Sequence, residues 1–553
     1  MACALAASAL VPTAAGAAKA VKIGTPGPEV PGVGVNSKAA LAGPNCDATT
    51  QRIKIVFLTR PPCVTPWPEG KNNGGATATG VTKDSVKVVV YAPTDAQNQA
   101  GAASGRAINR QTGGPGDFSQ SLKDWLAVYQ NTAYETYGRT VDLEIVTPSG
   151  SDETAQRADA VTVVSKKPFF VVDAIGTPVF AAAVAQSKTI VSSNTGTPED
   201  WQKQSPYRWS SIDPDGTPFN GGEFVKKTLV GKPAQYAGDS ALKSKTRKFG
   251  ILYPDSGVTI DLFTKQLPKS SYITYPYNVP LDAAAVTSSL QTQASTLIPK
   301  MKTDGITSVV LFGVANAAVP MAAAATSQGF SPEWVLPGSL GIDVSATARG
   351  IDQAQWAHAF GIGQLFPPIV GAALNQNTAL FNWYWGPNNG TYQSGGTGFF
   401  NLLFTGMSLA GPKLTPQTLQ QGLFSMAANG GAATGNTQNY MTAYGQSAGL
   451  PYNQFAGLGY DYYMYWWDPT NVGVSNIAAI SGTGRYAYLN NGLRFAAGTW
   501  EKGDPKFFDK TASIYEETTS TTPTAGQATL PAPDTLPTFP CTGCPSSGAA
   551  AAK

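Results

Sequence analysis

VKVVVY, residues 86–91, followed by FSQSLKDWLAVYQNTAYETYG, residues 118–138, decides the fold. The first is an apolar run interrupted only by Lys87, with the length and β-branched content of a buried strand. The second sets Leu122, Trp125, Leu126, Tyr129 and Ala133 at helical spacing and meets Gly138, which predicts a helix over 118–137. The alternation then continues. Val141, Leu143 and Ile145 read as a strand, 152–165 as a helix, 169–172 as a strand, 179–185 as a short helix and 189–192 as a strand. Strands separated by helices make a parallel sheet. After Asp213-Pro214-Asp215-Gly216 the pattern restarts, with strands over 249–253, 272–275, 308–312 and 334–336 and helices around 224–229, 260–266 and 317–327. A longer helix, capped by Asp282, carries Val286, Leu290, Ala294, Leu297 and Met301, with Pro299 expected to bend it. Two α/β units therefore stand in tandem, and the carboxyl ends of their strands are where open α/β sheets bind ligands.

Composition narrows the function classes. In 553 residues, 38 Lys and Arg face 35 Asp and Glu, a net charge of +3 and 13% charged in all. That is about half the usual quarter, and too neutral a balance for wrapping nucleic acid. At 42% hydrophobic the chain has ample core material. The length suggests roughly three to four domain-sized units. The single histidine, His358, leaves one residue for which a Ser-His-Asp system, a His-rich metal site and a proton relay would all compete. Its setting, QWAHAF, favours a structural role.

The ends differ from the middle. Residues 1–20 hold an apolar stretch and a small-x-small pattern at Ala15-Gly16-Ala17, which reads as a secretory signal without a positive n-region; a buried Ala-rich helix is the alternative. Export would remove Cys3, unless it serves as a lipid anchor. Residues 21–80 form an extension rich in Gly, Pro, Asn and Thr, and 511–553 a flexible Thr/Pro-rich tail. In an oxidising compartment the remaining four cysteines predict two local disulfides, Cys46–Cys63 and Cys541–Cys544; a four-cysteine zinc site would need a second CxxC. No apolar run reaches the roughly 20 residues of a membrane span, so the mature chain is expected to be soluble or surface-tethered.

Catalytic and cofactor signatures are missing. Gly231-Lys232 precedes proline, so there is no P-loop, and no strand-linked G-x-G-x-x-G occurs. No local constellation singles out a catalytic carboxylate pair, and no cofactor or metal is expected. Trp383-Tyr384-Trp385 and the aromatics at 462, 463, 465, 466 and 467 admit two readings, carbohydrate platforms or core strands, the second favoured.

GVTKDSVKVVVYAP (80–93), IVSSNTGTPEDW (190–201), FGILYPDSG (249–257), KMKTDGITSVVLFG (300–313) and SQGFSPEWVLPG (327–338) resemble, in order more than in any one segment, type I periplasmic solute-binding proteins. The group is the leucine/isoleucine/valine-binding type that feeds ABC importers. NLLFTGMSLAGPKLTPQTLQQGL (401–423) and GRYAYLNNGLRFAAGTW (484–500) extend the likeness over about 80–510. It implies two Rossmann-like lobes joined by three crossovers, 81–213 with 361–455 as lobe 1 and 214–360 with 456–510 as lobe 2, closing on a ligand in the cleft. It also implies an extracytoplasmic location, ABC permease subunits as partners and no enzymatic activity. A ligand sensor or cell-surface binding protein of the same fold, without a transporter, is the alternative.

Carried over residue by residue, the resemblance places Thr177, and Thr195 with Thr197, on the lobe-1 loops that hold a ligand carboxylate. In lobe 2 it places Asn316 on a contact loop and Ser339 where the family has the acid that receives an ammonium group. With that acid missing, a buried ammonium costs several kcal/mol, and the ligand is expected not to be a standard amino acid. Asp95 and Asp343 are the candidates for a displaced cation partner.

Overall fold

The computed structural model describes residues 23–54, 60–94, 118–130, 133–255, 258–280, 283–313, 315–339, 341–364, 397–435, 440–475 and 481–515. A two-residue ladder, β1 (Cys46–Asp47) with β2 (Arg52–Ile53), lies in the N-terminal extension. The Cys46–Cys63 disulfide forms as expected; Cys541 and Cys544 fall outside the described residues. The extension is packed rather than loose. Val30, Val33, Ile53 and Val64 enter the first core, and Gly27 N donates to Phe424 O at 2.7 Å.

The first sheet contains β3 (Ser85–Tyr91), β4 (Thr140–Val146), β5 (Phe170–Asp173), β6 (Ile190–Ser193) and β7 (Arg208–Ile212). All its pairings are parallel, as strands separated by helices predict. Among the described residues the order is β13-β7-β6-β5-β3-β4, where β13 is Ala456–Leu458, arriving from far along the chain. Val88 and Val90 are fully buried with Leu122 and Tyr129 of the helix Phe118–Gln130 on one face. Val89 packs with Phe180 and Val184 of the helix Pro178–Gln186 on the other. The first helix is described over Phe118–Gln130, and residues 133–137, expected to continue it, are not helical. Tyr137 and Gly138 both have positive φ, 57° and 79°, and turn the chain into β4 instead.

The second sheet contains β8 (Phe249–Pro254), β9 (Tyr272–Tyr277), β10 (Ser308–Leu311), β11 (Glu333–Pro337) and β12 (Ala359–Gly363), all parallel. Antiparallel β14 (Asp461–Val474), β15 (Ser481–Leu489), β16 (Arg494–Ala496) and β17 (Ser513–Tyr515) extend it. The helix Ala283–Thr303 runs through Pro299 without a break. Tyr462, Tyr463, Tyr465, Trp466 and Trp467 are core residues of β14, buried on both faces of the sheet; Trp383-Tyr384-Trp385 lie outside the described residues. Strand pairing moves three boundaries. β12 joins the second sheet, so the first-sheet segment begins after 363 and not at 361. β13 joins the first, so the return to the second sheet begins after 458 and not at 456. β17 extends ordered chain to Tyr515, past the expected 510.

Candidate functional site

Because the strands within each unit are parallel, the loops after β5, β6 and β7 leave one edge of the first sheet, and those after β8, β10 and β11 one edge of the second. The segment between β5 and the helix Pro178–Gln186 starts with Asp173, which is 4% exposed. Its Oδ1 accepts from Ile175 N at 3.1 Å and Gly176 N at 3.0 Å. Its Oδ2 accepts from Thr177 N at 2.7 Å, Thr177 Oγ1 at 3.1 Å and Ser193 Oγ at 2.7 Å. Burial raises the Asp173 carboxyl, while the Ser193 hydroxyl and these backbone N–H groups pull it back.

Thr177 is engaged inside this loop. Its hydroxyl and N–H both serve an internal carboxylate. Thr195 Oγ1 shares a 2.9 Å hydrogen bond with the buried Ser193 Oγ, extending the same network. Thr197 caps the helix Pro198–Lys203 in a reciprocal arrangement with Asp200. The anion-favouring loop ends are thus met by the protein's own acids. Beneath them Arg208, buried, donates Nη1 to Gln204 Oε1 at 2.9 Å, and its guanidinium is packed under Gly196.

On the second sheet, Asn316 lies exposed in the first turn of the helix Ala315–Ser327 after β10. Ser339, 6% exposed after β11, accepts from Gly313 N at 3.1 Å and ties those two loops together. Asp343 is buried and accepts from Gly341 N, Gln364 N and the Tyr463 hydroxyl, each at 3.2 Å. It anchors the end of β12 to β14. Asp95 lies outside the described residues.

Among the described residues the chain passes between the sheets three times. Asp213–Asp215 lead from β7 to the helix Gly216–Thr228, whose Phe224 and Val225 pack in a second-sheet core. Beyond Gln364, at the end of β12, the next described element is the helix Thr397–Ala410, whose Phe400, Leu403, Phe404 and Met407 pack in the first core. Gly459 and Tyr460 join β13 to β14. These passages touch. Gly216 lies so close to Gly459 O that a β-carbon would collide with it, and Gly459, at φ +109°, lies against Asp213 O and Gln364 Nε2. Arg494 pairs with Asp461 at 3.0 Å and donates to Gln364 O.

Sequence reasoning missed the acids at this junction. Asp213 is fully buried and its Oδ1 accepts from Asp215 N at 2.9 Å and Gly216 N at 3.3 Å; its Oδ2 is buried beside the Tyr452 hydroxyl. Burial first, then the neighbouring Asp215, pushes its carboxyl up to about 7. Burial likewise raises Asp215, against hydrogen bonding from Thr259. The signal was the Asp-Pro-Asp-Gly run itself, which reads as an ordinary turn until its burial is known. Among the described residues no group of three His, Cys, Asp or Glu could hold a metal ion, and no helix is long and apolar enough to cross a membrane.

No protein-family model matches the sequence, and no curated protein does. Similar solved structures include an ABC transporter substrate-binding protein from Aeropyrum pernix, 12% identical with a TM-score of 0.47, covering 75% of this chain and 97% of that one. A fatty acid ABC transporter substrate-binding protein from Thermomonospora curvata is 14% identical with a TM-score of 0.43, covering 79% and 99%. An ABC transporter solute-binding protein from R. palustris, solved with 4-hydroxybenzoate, is 13% identical with a TM-score of 0.43, covering 75% and 99%.

Proposed function

We propose that this chain is an extracytoplasmic solute-binding protein, without catalytic activity, that captures a small molecule between two α/β lobes and delivers it to an ABC importer. One observation carries the reading: three separate passages of chain between two parallel-stranded sheets meet at a single packed junction. Such a junction is a hinge, and a ligand touching both lobes shifts its open–closed balance by its differential affinity for the closed form. Loops on the strand-end edges supply the contacts, with Thr195 on one side and Asn316 and Ser339 on the other. The Cys46–Cys63 disulfide fits an oxidising compartment. Delivery to permease subunits rests on the sequence resemblance.

The ligand on this reading is not a standard α-amino acid, since its ammonium group would find a serine at 339 in place of a carboxylate. Two measurements test the proposal on purified protein. Mass spectrometry of the solute that co-purifies should identify a small molecule. Small-angle scattering should then show a smaller radius of gyration when that molecule is added to stripped protein. A scattering curve unchanged by saturating ligand would refute capture between moving lobes, and submicromolar leucine binding unaffected by Ser339→Ala would refute the ligand class.

A further inference from the structure

Asp213 lies where the first and third passages are tied together. Its N–H donates to Leu458 O at 2.8 Å, and its carbonyl lies against Gly459. Its carboxylate is fully buried, with Oδ1 capping the turn through Asp215 N and Gly216 N and Oδ2 beside the Tyr452 hydroxyl, in the segment that leads to β13. Titratable and charged groups face it from each element packed there. Asp215, 5% exposed, follows on the same passage, is held by Thr259 and feels the further negative charge of Asp200. Tyr460 and Tyr462, both fully buried, approach from the third passage and β14. Arg494 of β16 acts on Tyr462 too, but its Nε and Nη2 pair with the two carboxylate oxygens of Asp461 at 3.0 Å each, and Nη2 also donates to Gln364 O of the second passage; Nη1 makes no hydrogen bond. Asp461 thus matches the Arg494 charge one for one. Were Asp213 and Asp215 both ionised, the packed junction would carry two unmatched negative charges away from water, an arrangement that burial penalises. One proton on Asp213 halves that excess. It belongs on Oδ2, because Oδ1 already takes two N–H donors, and there it can be donated to the Tyr452 oxygen.

We propose that the junction is a proton-gated hinge: Asp213 holds a proton while the three passages are packed together and releases it to water as they loosen, so that the spacing of the lobes responds to pH. This rests on the proposed capture between two lobes and adds a regulation to it. The sign follows from burial. Desolvation, then Asp215, pushes the Asp213 carboxyl up to about 7 in the packed junction, whereas access to water returns it toward its ordinary value of about 3.9. The packed arrangement therefore binds the proton more tightly. Its advantage over the loosened one is complete below about pH 4, falls by up to ~tenfold for each pH unit above that, and is gone once the packed carboxyl has titrated at about pH 7.

Small-angle scattering of the solute-free protein tests this without knowledge of the natural ligand. The radius of gyration should rise between about pH 5 and about pH 8 and level off above, with the circular dichroism spectrum unchanged. Asp213→Asn, or Asp213→Ser in case the asparagine variant does not fold, removes the titrating group and should give a flat profile. Asp215→Asn removes the like charge and should shrink the rise, which a merely structural aspartate would not do. His358, at the opposite end of β12 from Gln364, is the residue whose ordinary value of about 6.5 falls in the same window; His358→Gln should keep the wild-type rise. A wild-type radius that stays flat, a rise that persists in the Asp213 variants, or one that vanishes in His358→Gln would overturn the inference. Failure of the underlying reading looks different. A radius that answers to pH but not to the co-purified solute keeps the gate and counts against capture between lobes, whereas contraction by that solute with a flat pH profile keeps the capture and removes the gate.

Discussion

Asp213 has the strongest linkage to pH of the residues at the junction. Its carboxyl is pushed up to about 7 by burial and by Asp215, against about 3.9 in an unfolded chain. The folded state therefore holds a proton that the unfolded state has released across the window between those values. Stability from this group is complete below about pH 4 and is lost as pH rises to about 7. Relative to Asp213→Asn, which keeps an acceptor for Asp215 N and Gly216 N, the wild type should lose on the order of a few kcal/mol between pH 4.5 and 7.5 in urea unfolding. A difference that stays flat over that range would show that Asp213 does not titrate there. Glu333 is held by a buried ion pair. It takes Arg247 Nε at 2.7 Å and Nη2 at 2.8 Å, with both side chains fully buried, and Ser308 Oγ at 2.6 Å. Glu333→Gln leaves the guanidinium unpaired and should cost ~3–5 kcal/mol. Arg157→Ala, which breaks an exposed pair with Glu153, should cost ~0–1 kcal/mol in the same assay. At this scale the sequence was only half legible. The family resemblance, carried over residue by residue, pointed to the hydroxyl-bearing loops at Thr177, Thr195 and Ser339. It could not show that Asp173, four residues earlier, reaches the Thr177 N–H, since a short-range Asx contact and a free carboxylate have the same spelling.

Secondary-structure elements were far more readable, and for a physical reason. Strands buried on both faces are rich in consecutive apolar residues, so β3, β5 and β10 stand out in sequence, and proline and glycine mark where their helices start and stop. What local pattern cannot encode is which sheet a strand joins. Ala359–Gly363 and Ala456–Leu458 look alike in sequence, yet the first pairs with β11 and β14 and the second with β7. That choice is made by long-range packing, and the expected boundaries at 361 and 456 missed it by two or three residues. The N-terminal extension was legible only through its cysteines. The disulfide joins residues separated by 17 positions, and closing a loop of that size contributes ~3 kcal/mol by restricting the unfolded chain. Cys46→Ala with Cys63→Ala should thus lower stability by about that amount. Because Val30, Val33, Ile53 and Val64 pack in the first core, the loss should appear in the main unfolding transition. A separate early transition, with the main one unmoved, would show instead that the extension folds independently.

The whole molecule depends on three strands of connecting chain sharing very little room. Where Gly216 faces Gly459 O there is no space for a β-carbon, and Gly459 in turn lies against Asp213 O with a backbone conformation that favours glycine. Thr217 and Tyr462 share a 3.1 Å hydrogen bond beside the same contact. Backbone on both sides means that a rotamer change cannot relieve a clash, so one passage must move away from another. Gly216→Ala should then do two things together. It should destabilise the fold by ~1–3 kcal/mol, the usual cost of forcing one extra carbon into a packed interior. It should also enlarge the radius of gyration of the unliganded protein, because the displaced passages are the ones that set the spacing of the two sheets. Gly503→Ala supplies the control, as a β-carbon there meets nothing within 4 Å, and both readouts should stay at wild-type values. If Gly216→Ala destabilises without changing the scattering curve, the junction is packed but does not govern the separation of the sheets. The hinge would then have to lie elsewhere along the same passages.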